Sequence, residues 1–228
     1  MSEALPTLSN LSTPSTARIL WSAGDFALGA GAVIIQPSTS RVCILEDMPH
    51  KAGRYFLPRG RKDVGETLEQ AVLREVFEES GFRATFLPAL YPQLQPRTHG
   101  QRTLLKSTAD CMTTEPFYIM QTALEHGPRA SSDPDGWEYI VFWYLCQIPE
   151  DAQREANTGM ANELGFVSRL LSFDEALEKM RDGGDPFQYK VLQRGIQIWV
   201  ESQRMLAAAP DTHSTLYAPG SIYTVKPL

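Results

Sequence analysis

The first half of the chain places its apolar residues as a sheet requires. "GAGAVIIQ" (29–36) and "RVCILE" (41–46) are short apolar runs separated by Pro-Ser-Thr-Ser. That pattern predicts two strands joined by a turn. "RYFLPRG" predicts a short extended segment ending in a turn. The period then changes. Leu68, Val72, Leu73, Val76 and Phe77 recur at helical spacing and cover about half the circumference. Thr67 can cap this helix, Gln70 completes a capping box, and Gly81 suits a left-handed stop. A helix is therefore predicted over 68–80.

"RATFLPALYPQLQ" begins as a strand and ends in a proline-broken loop, and 92–115 reads as polar and irregular. "EPFYIMQTAL" and "WEYIVFWYLCQI" predict strands on either side of the turn-rich "HGPRASSDPDG". "SFDEALEKMRDG" predicts a helix with Ser172 as N-cap, Glu175 closing a capping box and Gly183 at its end. "PFQYKVLQRGIQIWVESQRMLAAA" predicts a last helix, softly interrupted at Gly195. Its Val191, Leu192, Ile196, Ile198 and Trp199 suit packing on a sheet. Strand pairs with short turns alternate with helices. The expectation is an α/β (α+β) domain, a mixed sheet with helices on both faces. It should span 21–209, between a flexible Ser/Thr/Pro-rich arm (1–20) and a flexible tail (210–228).

Composition narrows the partners. The 228 residues are 43% hydrophobic and 21% charged, ordinary for one globular domain. A net charge of −6 argues against a broad nucleic-acid or membrane surface, so any polyanion must meet a local basic patch. Cys43, Cys111 and Cys146 are odd in number and widely spaced, which predicts a reduced protein without a disulfide framework. No apolar run reaches the length of a membrane span, and the N-terminal stretch has no secretory pattern. A cytoplasmic or nuclear location is expected. The C-terminal helix could pack within the fold or across a homodimer.

The chemistry concentrates in "GRKDVGETLEQAVLREVFEESGF", from Gly60 to Phe82. On the predicted helix Glu75, Glu78 and Glu79 share an arc of about 100° beside the apolar face. Ala71 falls in the same arc and is expected to keep it open; Arg74 lies next to Glu78 at its edge. Such like-charge pairs destabilise a helix by about a few tenths of a kcal/mol each. A merely solvated face explains them poorly, whereas a divalent cation would relieve the repulsion. Hard cations such as Mg²⁺ take oxygen ligands and often substrate phosphates. The preceding loop supplies Gly60 and Gly65, which allow close backbone approach, and Arg59, Arg61 and Lys62, which suit phosphate.

This stretch resembles the Nudix box, G-x5-E-x7-R-E-U-x-E-E-x-G-U with U a bulky apolar residue. Gly60, Glu66, Arg74, Glu75, Val76, Glu78, Glu79, Gly81 and Phe82 fill every defined position. The resemblance implies an α/β/α sandwich and a hydrolase that cleaves a diphosphate linkage with Mg²⁺, or Mn²⁺ in its place. It implies Glu78 and Glu79 as metal ligands, Glu75 as a further ligand or the base, and the Gly60 carbonyl as a ligand. It implies that Arg74 orients a glutamate, that Glu66 supports the loop, and that Val76 and Phe82 are core. One more acid often comes from outside the box; Glu163 is the candidate, with Glu115 and Asp110 as rivals.

Substrate rests on thinner signals. Arg59 in "PRG" resembles the branch acting on diadenosine polyphosphates and diphosphoinositol polyphosphates. Arg54, with Lys51, Arg97, His99, Arg102 and Lys106, could line an anionic-ligand pocket. Tyr91, Phe117, Tyr118 and Trp137 could form a platform for the base of ADP-ribose or a nucleotide sugar; an isoprenoid diphosphate would need an apolar pocket. A non-catalytic sensing or partner-binding domain is the alternative, though such domains usually carry a degraded box.

Overall fold

A computed structural model of the chain describes residues 20–48, 52–95, 112–124, 137–160 and 165–208. Nearly all of the expected arm, the tail, and Glu163, Asp110, Cys111, Lys51, Arg97, His99, Arg102 and Lys106 lie outside the described residues.

The elements run β1 (Phe26–Gln36), β2 (Arg41–Glu46), β3 (Tyr55–Phe56), β4 (Arg59–Arg61), α1 (Leu68–Ser80), β5 (Thr85–Phe86), β6 (Ala89–Leu90) and β7 (Met112–Thr113). They continue as β8 (Tyr118–Leu124), β9 (Trp137–Gln147), β10 (Val167–Ser172), α2 (Phe173–Gly183) and α3 (Pro186–Ala208). β1 is the centre of a mixed sheet. β9 runs parallel along one edge of it, from Phe26↔Glu138 to Ile35↔Gln147. The opposite edge is shared by two antiparallel partners, β2 over Ile34–Gln36 and β4 over Gly29–Gly31. β10 and β3 extend the sheet beyond β2; β5 and β8 pair with β9.

Proline divides what the sequence reads as continuous. Pro58 separates β3, which pairs with β2, from β4, which pairs with β1. It has no N–H to donate, and its carbonyl accepts from Ala32 N–H at 3.0 Å. After Pro88 the chain leaves the main sheet, and β6 pairs with β7 instead. That two-residue pairing falls in a stretch expected to be irregular, because two residues offer no alternation to read.

Alternate residues of the strands serve two cores. Ala30, Ala32 and Ile34 pack with Val72 and Val76 of α1. Val33, Ile35, Val141, Trp143 and Leu145 pack with Val191, Leu192 and Ile198 of α3 and Met180 of α2. Helices therefore cover both faces. The predicted capping boxes at Thr67–Gln70 and Ser172–Glu175 are both formed. Gly81 ends α1 in the left-handed conformation at φ 76°. α2 runs through Gly183 to an extended cap at Gly184. Gly195 does not interrupt α3. A Cβ there would come within 3.0 Å of Val33 Cγ2 and 3.2 Å of Leu145 Cδ2, so the glycine lets the helix approach the sheet closely. Among the described residues no helix is long and apolar enough to cross a membrane.

Candidate active site

The site begins where α1 crosses β4. Gly60 stands opposite Ala30 in the β1–β4 register. A Cβ built on Gly60 would fall 2.1 Å from Glu75 Cδ. Only a residue without a side chain lets that carboxylate lie against the strand. Glu75 is 7% exposed and Ala71, one turn earlier, is fully buried in the α1 core. The expectation that Ala71 keeps the acid arc open is thus corrected. The arc dips beneath the helix, because Ala71 faces the same core as Val72 and Val76.

Arg74 is the hub of the acids rather than their edge. Its Nε donates to Glu66 Oε1 and its Nη2 to Glu66 Oε2, each at 2.9 Å. Nη1 donates to Glu75 Oε1 at 2.7 Å and to Glu78 Oε2 at 2.9 Å, and Nη2 also reaches the Arg61 carbonyl at 2.9 Å. A planar fork of five donors can do this; an ammonium cannot. The bonds from Arg74 hold the Glu66 carboxyl below the usual range, against the opposing effect of burial. Glu66 Oε2 also accepts from Asp63 N–H at 3.0 Å, which fixes the loop ahead of α1.

Arg59 links the two faces of the sheet. Its backbone N–H donates to Glu79 Oε2 at 2.8 Å on the α1 side. Its side chain belongs to the other side, where Nη1 donates to Met120 Sδ at 3.9 Å and the guanidinium lies 5.9 Å from the Tyr139 ring centre. Gly29 and Gly31 make room there. A Cβ on Gly31 would meet Trp143 Cζ3 at 2.6 Å and Arg59 Cβ at 2.8 Å. Burial pushes the Tyr139 phenol up to about 12, despite the nearby charge of Arg59.

Glu79 and Arg59 open onto a cleft of about 430 Å³. Arg54 lines it, as do Asp47, Phe56, Phe166 and Gln188. Arg61 is exposed, and Lys62 Nζ donates to the Asp63 carbonyl at 2.9 Å; neither lines the cleft. Glu115 is exposed and also lies off it. Tyr91, Phe117, Tyr118 and Trp137 belong to the α3-side core or pack against it, and none lines the cleft. The aromatic pair that does, Phe56 and Phe166, meets edge to face at 4.9 Å. Sequence reading missed that pair, Asp47 and Gln188. Only Phe56 carried a local signal, its place two residues ahead of "PRG".

Among the described residues no three His, Cys, Asp or Glu side chains converge on one point as a metal cluster. The donors near Gly60 nonetheless fit a divalent cation in kind. Glu75, Glu78 and Glu79 lie on one stretch of helix, and the Gly60 backbone runs directly under Glu75. All are hard oxygen donors, the set that suits Mg²⁺ or Mn²⁺.

The NUDIX domain model matches residues 25–195. The chain belongs to the NUDIX family, as its box suggests. A Caenorhabditis elegans protein named as a nudix hydrolase is 35% identical over 69 residues, 29% of this chain and 19% of its own length. The RNA pyrophosphohydrolase of Actinobacillus succinogenes is 29% identical over 112 residues, 43% of this chain and 57% of its own. The chain thus spans less than two thirds of these relatives. Among solved structures, a NUDIX hydrolase from Nitrosomonas europaea is 20% identical with a TM-score of 0.44, covering 75% of this chain and 88% of that one. The E. coli dihydroneopterin triphosphate pyrophosphohydrolase is 16% identical with a TM-score of 0.45, covering 78% and 99%.

Proposed function

We propose that the protein is a Mg²⁺-dependent hydrolase of a phosphoanhydride linkage, acting on a dinucleoside polyphosphate such as a diadenosine polyphosphate. The observation that carries this reading is the seat of Glu75 on Gly60, with Arg74 gripping Glu75 and Glu78. Glu75, Glu78, Glu79 and the Gly60 carbonyl would hold the cation; Glu163 is a further candidate. When bound, the cation would lower the pKa of a coordinated water and offset charge on the diphosphate.

The chain's own groups supply the rest. Arg74 holds Glu75 and Glu78 in fixed orientation through charge-assisted bonds. One of the box glutamates accepts the proton of the attacking water. Water attacks phosphorus, and the bridging P–O bond breaks toward the leaving phosphate. Arg59 and Arg54 face the cleft and receive phosphate oxygens; Arg61 and Lys62 act from the loop at longer range.

The cleft bears on which polyphosphate is cleaved. Its described lining carries two cations, Arg54 and Arg59, against two carboxylates, Asp47 and Glu79. That balance suits an inositol ring crowded with phosphates poorly. An aromatic pair suits a nucleobase.

Incubation with Mg²⁺ and a panel of diadenosine polyphosphates, diphosphoinositol polyphosphates and ADP-ribose tests this, with products resolved by chromatography. The expected result is turnover of the dinucleoside substrates at the highest kcat/KM, abolished by chelation. Binding without product across the whole panel would overturn the hydrolase reading. Preference for the inositol substrate would overturn the choice of substrate.

A further inference from the structure

Gln188 and Asp47 belong to no part of the box, yet both are buried and line the cleft that Glu79 and Arg59 open onto. Gln188 is in the first turn of α3 and is 4% exposed. Its Oε1 accepts from Leu57 N–H at 2.7 Å, between β3 and β4. That bond assigns the other edge of the amide as the NH₂ donor. Nε2 has no hydrogen-bond partner among the described residues, although the side chain is more than nine-tenths buried. Held this way, the NH₂ group faces the cleft as a donor open to a ligand or to water.

Asp47 follows β2 and is 5% exposed. Its carboxylate meets Arg54 Nη1 at 3.5 Å, a long contact to an arginine that is 63% exposed. Two carboxylate oxygens can accept from several donors at once. One cleft thus combines a fixed NH₂ donor, a buried carboxylate acceptor and the edge-to-face pair Phe56–Phe166. A planar heterocycle carrying an amino group beside a ring nitrogen matches all three. The amino group donates to the carboxylate, the ring nitrogen accepts from the amide, and the ring packs on the aromatic pair.

We infer that Asp47 and Gln188 are specificity-determining residues that read an amino-bearing nucleobase, adenine being the simplest, in the substrate's X group. This rests on the hydrolase reading for its biological meaning, but its test is a binding measurement that does not need turnover.

Calorimetric titration compares ADP with purine riboside 5′-diphosphate, which lacks the exocyclic amine, on the full chain. Wild type should bind ADP about tenfold more tightly, the order of magnitude for one good base contact. Asp47→Ala should erase that difference, because it removes the acceptor for the amino group that only ADP carries. Gln188→Glu keeps an acceptor for Leu57 N–H but loses the NH₂ donor, and should weaken both ligands alike. Thermal melts identify a variant that fails to fold; if Gln188→Glu does, Asp47→Ala carries the test. Equal affinity of wild type for the two ligands, or an undiminished difference in Asp47→Ala, would overturn the inference. If the discrimination holds while the substrate panel yields no product, the hydrolase reading fails and the base-reading site stands.

Discussion

The α1–β4 crossing and the far side of the cleft are built in opposite ways. At the crossing every participant lies between Arg59 and Glu79, and Arg74 alone joins Glu66, Glu75, Glu78 and the Arg61 carbonyl. The far side collects Asp47, Phe56, Phe166 and Gln188 from four places in the chain. The bond from Leu57 N–H to Gln188 there spans 131 positions. The difference teaches where each property comes from. On the proposed reading, the bond-breaking groups sit in one loop and one helix, which the local chain positions. The groups proposed to recognise the ligand are brought together by the tertiary fold.

The sharpest way to break this division is to damage the crossing alone. Glu79→Gln should lower kcat by about 10²–10⁴-fold while leaving nucleotide affinity within a factor of about three, since a lost catalytic carboxylate costs on that scale. Steady-state kinetics beside ADP titration would check it; equal losses in kcat and in ADP affinity would merge the two regions. Next in size is Gly60→Ala. The added Cβ meets Glu75 at 2.1 Å, and a misplacement of roughly 1 Å can cost about 10²-fold in rate. The melting temperature should fall only modestly, because the clash is with the Glu75 carboxylate, which can swing aside at the cost of its bond to Arg74.

These two sites also show what the sequence allowed one to read. Thr67–Gln70, Gly81 and the spacing of Leu68, Val72 and Val76 set α1 to the residue, because caps and helical periodicity are local. The box glutamates were legible for the same reason. The seat of Glu75 on Gly60 was not. It requires β4 to pair with β1, and three residues of β4 carry no pattern that names a partner. Gln188 reads locally as one polar position in the first turn of an amphipathic helix. Only the fold brings it to Leu57. Tyr91 and Trp137 looked as eligible for a base platform as Phe56, since aromatic content does not report which ring faces a cleft.

A smaller effect tests the bridge between the regions. Tyr139 and Met120 hold the Arg59 side chain while its N–H holds Glu79. Tyr139→Leu should raise KM by about 3- to 10-fold with little change in kcat, the size of a partly buried cation–π contact. Tyr139→Phe keeps the ring and should restore most of it. If Phe behaves as Leu does, the phenol rather than the ring is what matters.

The smallest effect is on stability against pH. Arg74 depresses the Glu66 carboxyl below its ordinary value of 4.5. A carboxyl lowered on folding contributes stability above its unfolded pKa, and that contribution fades as pH falls through the folded value. Wild type should therefore melt above Glu66→Gln at pH 7, with the gap closing as pH drops below about 4.5. A gap that stays constant would place the effect of Glu66 in packing, not in charge.

The most direct test of the central claim is Mn²⁺ titration by calorimetry into wild type, Glu78→Gln and Glu79→Gln without substrate. The box glutamates as ion ligands predict saturable binding in wild type. Each variant should weaken it by at least about tenfold, the lower end of the cost of losing even an outer-shell partner. Unchanged affinity in both variants would contradict the account.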